Sequence, residues 1–509
     1  MYPHILGSTS IMTTKIIDFW KANKSFWLPL TPEKQKVADD VIRDTFWLYD
    51  SFAETLSGRI IYLDQFSRHF ARLGLLTEQN VENSRQMAME IVMAQYNALA
   101  EMDETEIIFT LMPFKHLKKY EFIFTYLHTT WLKGRSLTEF PNLMRFYMDT
   151  YKKAYTLETV KQNILTEHCL EPYDSTLICD SYPVLYKNPE WSAKGYYDPI
   201  LLKALVPYKK GLVSLSGGVD SMVMLAYLKA SGSNVGAVHI VYGNRKESED
   251  EYRFLAEYCH KLQVPLYIYR VPWLRRSEVD REFYEDMTRQ LRFWVYAAID
   301  PTAIFMGHIQ DDIVENIWTN IANCTHLGNL KKMQTEEMQM GVHIVRPFLS
   351  AEKSTMYKAS DALGIPYLKN TTPSWSNRGK FREHFHEETV KQFGSTIDKR
   401  VVAFAEAMEK QTKLVSMFLY EPMYASFKDC TMDVTPAIKA NLDANAWTGI
   451  FEHVCHNILN ITRPGLSAVR DFCRRLQNKN DKFRMHLKRD LTIEFEHKQL
   501  QNTYSIRIL

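Results

Sequence analysis

Six consecutive residues, Ser216-Gly217-Gly218-Val219-Asp220-Ser221, combine the groups that hold a phosphate. Gly217 and Gly218 let the backbone approach an anion with no Cβ in the way. The hydroxyls of Ser216 and Ser221, with Ser214 just upstream, add hydrogen-bond donors, and the Asp220 carboxylate suits Mg²⁺. No lysine precedes Ser221, so this is not a Walker loop. A second group lies in His308-x-x-Asp311-Asp312-x-x-Glu315. Asp312 and Glu315, three apart, share one face of a helix, where carboxylates serve as Mg²⁺ ligands or as a clamp for an ammonium group. The plainer reading is that acids at a helix start complement its dipole. His239, Arg245, Arg289, Arg292, Arg378 and Arg382 supply further polar and cationic groups between and beyond these two stretches. For the arginines, ion pairing inside the fold competes with ligand contact, evenly so for Arg292.

These residues need a scaffold, and residues 211 to about 390 alternate short apolar runs with helical periodicity, the pattern of a parallel sheet. Strands are expected at Leu212–Leu215, Val235–Val241, Pro265–Val271, Ala303–Met306 and His343–Val345. Helices are expected at 219–230 (ending near Gly232), 247–262, 279–298, from Asp312 onward, and Glu352–Leu363 (closed by Gly364). Open sheets of this kind bind ligands at the carboxyl ends of their strands, where the strand order reverses. The Ser216–Ser221 turn, the His239–Arg245 stretch and the Gly307–Asn316 stretch all follow strand ends.

Upstream, the first ~150 residues read as helical. Thr31 and Pro32 look like a cap and first helical residue. Val37, Val41, Thr45, Leu48, Phe52 and Leu56 then mark one face, with Gly58 closing the segment. Further helical stretches are expected at Arg59–Leu73, Gln79–Ala100 and Leu117–Leu132. From Glu167 to Lys210, Pro172, Pro183, Pro189, Pro199 and Pro207 break every pattern, as in a connector lying on the next domain. Downstream, Pro464-Gly465-Leu466 starts a helix, and Leu491–Phe495 and Tyr504–Ile508 read as strands. Arg463 to Arg489 is locally basic, which suits phosphates or a solvated helix face.

At 509 residues, two to four domains are expected, and the 46% hydrophobic, 24% charged composition is that of a soluble globular chain. No apolar run reaches membrane-spanning length. Met1 to Trp20 lacks the layout of a secretory or transit leader, and Met12 offers an alternative start. The seven cysteines are scattered and form no CxxC, so reduced thiols and no zinc or iron–sulfur framework are expected. The expected location is therefore cytoplasmic.

The hexapeptide resembles the PP-loop of the N-type ATP pyrophosphatases, which split ATP into AMP and pyrophosphate while activating an oxygen of a substrate. Together with His239…Arg245-x-Glu-Ser, Arg289-x-x-Arg292-Phe293, the acidic motif, Leu327-Gly328-Asn329-Leu330-Lys331-Lys332-Met333, Arg346-Pro347-Phe348-Leu349 and Arg378 to Arg382, its order and spacing are similar to those of the tRNA(Ile)-lysidine synthetase family. The resemblance covers residues 210–390 well and the C-terminal tail more weakly. Three positions depart from the family pattern: Tyr242 replaces a histidine, Asn316 a threonine, and Asn370 an acidic residue. Near the N-terminus, Ile17-Asp18-Phe19-Trp20, Leu63-Asp64-Gln65-Phe66-Ser67-Arg68 and Leu111-Met112-Pro113-Phe114 with His116 resemble an uncharacterised bacterial all-helical, tetratricopeptide-like family. There Asp64, Gln65 and Arg68 line a small polar site or form a buried network between helices.

The resemblance implies an α/β fold: a parallel-sheet PP-loop domain at 211–395, preceded by an all-α domain at 1–165 and a connector at 166–210. A helical linker and small α+β tRNA-contacting domain would follow at 396–509. It implies ATP and Mg²⁺, ATP binding by Ser214, Ser216–Ser221, His239 and His308, and metal ligation by Asp220 and Asp311. Asp220, Asp311, Asp312, Glu315 and Arg245 would be catalytic, and Arg289, Arg292, Arg378 and Arg382 would contact tRNA or substrate. The partners implied are a tRNA anticodon loop and L-lysine; a homodimer, and a protein partner for the N-terminal helices, stay open. Two alternatives stay open as well: tRNA thiolation by the same adenylation chemistry, and an idle tRNA- or nucleotide-binding module.

Overall fold

The computed structural model describes residues 15–27, 31–47, 54–167, 185–186, 197–244, 248–323, 329–369, 381–459, 461, 463–477, 481–488 and 491–509. The chain divides into two compact units, Met1–His308 with Thr335–Thr371, and Ile309–Gln334 with Thr372–Leu509.

In chain order the strands of the first unit are β1 (Leu165–Glu167), β2 (Leu185–Tyr186), β3 (Lys210–Ser214), β4 (Asn234–Val241), β5 (Leu266–Arg270), β6 (Ile304–Met306), β7 (Glu336–Gln339), β8 (Val342–Val345) and β9 (Tyr367–Leu368). Seven of them form a sheet in the order β1-β5-β4-β3-β6-β8-β7, and β2 pairs with β9. The five central strands are parallel, because helices cross over between them and cover both faces. β3 and β4 accordingly carry unbroken apolar runs from Gly211 to Val213 and from Val235 to Val238. The two edge strands are antiparallel, so the expectation of a purely parallel sheet is corrected there: β1 pairs with β5, and β7 with β8 in a hairpin turned by Met340 and Gly341. Neither is legible as a strand, since each is four residues or fewer and takes its stability from its neighbour. From β3 the chain runs outward through β4 and β5, then crosses to β6 and β8 on the other side. The reversal lies between β3 and β6, and Ser214 is paired with Met306 there.

The N-terminal segment is helical among its described residues; Phe114, Phe124, Tyr126, Trp131, Tyr147 and Tyr151 share a hydrophobic cluster with the sheet's helix Arg281–Ile299, and Trp20, Phe46, Phe66, Phe70 and Phe109 belong to a second. Tyr151 Oη donates to the carbonyl of Pro272 at 2.9 Å, and Trp273 Nε1 to Glu121 at 2.8 Å. The expected face running from Val37 to Leu56 is not continuous. Val37 is exposed, while Ala38, Asp39, Ile42 and Phe46 carry the buried face of Pro32–Phe46. Leu48 and Phe52 lie outside the described residues. Gly58 is not a terminator but sits inside the helix Leu56–Ile61, which Thr55 caps. A Cβ at Gly58 would stand 2.7 Å from Glu54 Oε2, the tip of a side chain that would have to shift. Helices Ile16–Ala22, Glu104–His116, Pro141–Ala154 and Leu157–Gln162 fall outside the expected helical stretches.

Two buried aspartates tie these helices together. Asp39 accepts from Arg72 through both oxygens and from His69 at 2.7 Å. Asp64, fully buried in the π-helical turn Tyr62–Phe66, accepts from Arg85 at 3.1 Å and His116 at 2.8 Å, with Gln65 on its other oxygen. Burial pushes His69 and His128 each down to about 4. A histidine held neutral in the fold but free to protonate when unfolded contributes stability above its ordinary pKa and loses it as pH falls toward the depressed value. Thermal stability should therefore drop between pH 6.5 and about 4. Replacing both histidines with glutamine should flatten that part of the profile, and an unchanged slope in a calorimetric pH series would refute the assignment.

The second unit holds helix Gln310–Ala322, helix Ile397–Val415, and a C-terminal four-stranded antiparallel sheet. Its strands are β10 (Thr431–Asp433), β11 (Lys482–Lys488), β12 (Leu491–Lys498) and β13 (Thr503–Ile508), ordered β10-β13-β12-β11. Their alternating apolar positions, including Ile493, Phe495 and Ile506, pack on Trp447, Phe451 and Phe472. The basic stretch is divided here. Arg470 and Arg474 are exposed on helix Leu466–Gln477, whereas Lys482 pairs with Glu494 and Glu496.

Candidate nucleotide site

The site grows from the end of β3. Gly217 has φ +83°, a left-handed conformation that turns the chain out of the strand. Gly218 then begins helix Val219–Ala230 as its cap residue, leaving the amides of the first turn without helical partners. Gly217 is also held closely, for its carbonyl accepts from Leu368 N at 2.9 Å, and a Cβ on it would lie 2.9 Å from Leu368 Cδ1. From the other side of the reversal comes Gly307, directly after β6. A Cβ there would stand 2.8 Å from Ser221 N and 3.0 Å from the Asp220 carbonyl carbon. The two turns therefore meet backbone to backbone.

The two serines of the loop play different parts. Ser221 is buried, accepts from Ser216 N at 3.3 Å and donates to the Gly218 carbonyl at 3.0 Å, bracing the turn. Ser216 is exposed, its hydroxyl 3.2 Å from that of Ser221. Ser214 Oγ is 2.7 Å from Tyr296 Oη and so anchors the strand end to helix Arg281–Ile299. His239 is buried on β4, where burial lowers its pKa, and its Nδ1 donates to the Leu215 carbonyl at 2.8 Å. It holds the root of the loop. His308 Nδ1 accepts from Arg346 Nε at 3.0 Å, and Arg346, itself buried, also pairs with Glu337 at 2.5 Å. That contact places the proton of a neutral His308 on Nε2.

Asp220 meets a cation. Lys353 Nζ lies 3.0 and 2.7 Å from its two carboxylate oxygens. Lys353 was not singled out in the sequence, although a signal was present. It is the first residue of helix Lys353–Leu363, and a cation at that end opposes the helix dipole. Arg346 and Gly307 were noted only within longer phrases, and their roles depend on contacts across 38 and 86 residues of chain.

Arg289 is exposed and stacks over Phe293, its guanidinium carbon 5.6 Å from the ring centroid. Arg292 turns inward, where the nearby Tyr242 raises its pKa, and its Nε is buried without a hydrogen-bond partner among the described residues. Tyr242, the departure from the family histidine, is thus electrostatically coupled to Arg292. Asp311, Asp312 and Glu315 stand on helix Gln310–Ala322 of the second unit, which begins two residues before the expected Asp312. Asp312 is buried and accepts from Ile309 N at 3.0 Å, so it caps its helix; Glu315 is buried. Arg245 and Arg378 lie outside the described residues. Arg382 belongs to the turn Phe381–His386, and its side chain lies outside them as well.

The loop fits a polyphosphate: the amides of a helix's first turn, an exposed hydroxyl, and two glycines where a Cβ would intrude. The residues also fit Mg²⁺ in the manner usual for nucleotide sites, in which one or two carboxylates add to phosphate oxygens and water. Asp220 supplies such a carboxylate, and no cluster of three or more His, Cys, Asp or Glu side chains able to hold a metal occurs among the described residues.

A mixed sheet with a parallel core, reversing between β3 and β6 under a glycine turn and a helix start, is the arrangement of an open-sheet nucleotide-binding domain. The PP-loop domain family matches residues 196–384. Among curated proteins, the chain is 30% identical to the tRNA(Ile)-lysidine synthase of Chlamydia muridarum over 217 residues, covering 41% of this chain and 66% of that one. To the enzyme of the same name from Chlamydia pneumoniae it is 29% identical over 218 residues, covering 40% and 67%. The chain thus spans about two thirds of the length of these relatives. The U34-tRNA thiolase NcsA from Methanococcus maripaludis, solved with its [4Fe-4S] cluster, aligns at 15% identity with a TM-score of 0.35, covering 42% of this chain and 77% of that one. No described helix is long and apolar enough to cross a membrane.

Proposed function

We propose that the protein modifies tRNA at the expense of ATP, joining lysine to C2 of a wobble cytidine in the anticodon loop. The observation that carries this reading is the backbone-lined loop at the β3/β6 reversal with Asp220 in its first helical turn. On this reading the amides of Gly217 to Ser221 and the Ser216 hydroxyl bind the ATP phosphates. Ser221, Ser214 and His239 keep the loop rigid, and His308 presents Nε2–H as a donor. Mg²⁺, when bound, neutralises the phosphate charge that builds up as pyrophosphate departs. Asp220 is the carboxylate assigned to hold it, and the family motif assigns Asp311 the same task. The cytidine O2 attacks the α-phosphate, the α–β bridge breaks, and pyrophosphate leaves. Such a transfer depends mainly on positioning and charge neutralisation. The lysine ε-amine then attacks C2 and AMP departs with the oxygen. That amine has a reference pKa near ~10.4, so a carboxylate must both hold it and take a proton. Asp312 and Glu315 are assigned this work. Arg245, Arg289, Arg292, Arg378 and Arg382 are assigned to phosphate, cytidine or tRNA contacts.

The cap made by Asp312 gives a discriminating variant. Asp312→Asn can still accept from Ile309 N but carries no charge, so its thermal stability and ATP affinity should match wild type. Lysine transfer should fall by about 100-fold or more, the scale of a lost general base. Wild-type turnover by this variant would leave Asp312 as a cap only. For the activity itself, sustained pyrophosphate release should require tRNA and lysine together with ATP, with tRNA alone giving only a burst of about one equivalent per enzyme; continued release with tRNA alone at the full rate would count against lysine as the acceptor.

A further inference from the structure

The Lys353–Asp220 pair has no explanation in either helix that it joins. Asp220 is in the first turn of its helix, where a carboxylate is already favoured, and Lys353 is in the first turn of its own, where an ammonium is disfavoured. Yet Lys353 reaches both oxygens of Asp220, 133 residues away in sequence, at 3.0 and 2.7 Å. Its ammonium is also 5.5 Å from the centroid of the Tyr357 ring, one helical turn on. The pair is partly open, with side-chain exposures of 29% for Lys353 and 20% for Asp220, so solutes reach it. The lysine therefore occupies the carboxylate that a nucleotide-bound metal would need.

We propose that Lys353 is a positioning residue of the phosphate loop. Its ammonium holds the Asp220 carboxylate in place until Mg²⁺ and nucleotide arrive, is exchanged for the metal, and then turns to the phosphate oxygens. This rests on the reading of the loop as an ATP site given above. Two opposed effects follow from removing the charge. Mg²⁺ loses a competitor for Asp220, so less of it is needed, while the phosphates lose a cation, so nucleotide binds less tightly at saturating metal.

The test is ATP binding by calorimetry, without tRNA or lysine, across a series of Mg²⁺ concentrations. For Lys353→Met, the half-saturating Mg²⁺ concentration should fall roughly two- to fivefold, the scale of a partly exposed ion pair. At saturating Mg²⁺ its ATP dissociation constant should rise about tenfold, as expected for a lost charge-assisted hydrogen bond. Lys353→Arg should keep the wild-type Mg²⁺ dependence, and Lys353→Gln should repeat the Met result if the Met protein folds poorly. A purely structural lysine would lower the melting temperature and leave both constants unchanged in the folded fraction; that outcome overturns the proposal alone. Failure of the wild-type protein to bind ATP at any Mg²⁺ concentration overturns this proposal and the ATP-site reading together.

Discussion

Gly307→Ala should disable the enzyme while leaving it folded. The added Cβ would stand 2.8 Å from the Ser221 amide nitrogen and 3.0 Å from the Asp220 carbonyl carbon, and neither is the tip of a flexible side chain. One of the two turns must move, and both belong to the phosphate cradle proposed above. Misplacement on the order of 1 Å in a site that works by positioning costs roughly 100-fold in rate. We expect kcat/KM for ATP to fall by about that factor. The seven-stranded sheet should persist, because Gly307 follows β6 rather than lying within it. Steady-state kinetics with a melting curve would check this. Near-wild-type kinetics would mean that the close approach of the turns is irrelevant to ATP.

Asp64→Ala should have the opposite character, with a large loss of stability and little effect on the loop. Asp64 is fully buried and joins Arg85, His116 and Gln65 from separate parts of the N-terminal helices. Removing one member of a buried ion pair strands its partners, at a cost of roughly 3–5 kcal/mol. Asp64→Asn keeps the acceptor oxygen for Arg85 or His116 and should cost less. Denaturant unfolding of both variants distinguishes a connecting network from a dispensable surface contact. Equal stability of Asp64→Ala and wild type would show that the network carries no load.

The glycine turn and helix start at Ser216–Ser221 were legible from sequence because their signals are local. Gly217, Gly218 and the first turn of the helix after them act through their own backbone. The strands around them were legible too, since burial on both faces leaves continuous apolar runs at β3 and β4. The short edge strands β1 and β7 were not, because nothing in three or four residues distinguishes them until the neighbouring strand is known. Gly58 misled for a related reason. Glycine ends helices often enough to be read as a terminator, whereas here it lies inside one, beside the Glu54 carboxylate. The roles of Ser221, His239 and His308 changed between sequence and structure. Each had the right chemistry for a ligand; Ser221 and His239 spend a polar atom bracing the loop, and His308 accepts from Arg346 through Nδ1. Lys353 was missed because its partner is 133 residues away, although a lysine at the first position of a helix is an anomaly that invites a search for its acid.

The central claim is that the chain's PP-loop serves the attachment of lysine to a tRNA cytidine. The most direct measurement is mass spectrometry of nucleosides from tRNA incubated with the purified full chain, ATP, Mg²⁺ and isotope-labelled lysine. We expect a modified cytidine whose mass carries the label, absent when ATP is omitted and strongly reduced with Gly307→Ala. Consumption of ATP with tRNA but no labelled nucleoside, or appearance of a thiolated base when a sulfur donor replaces lysine, would contradict it.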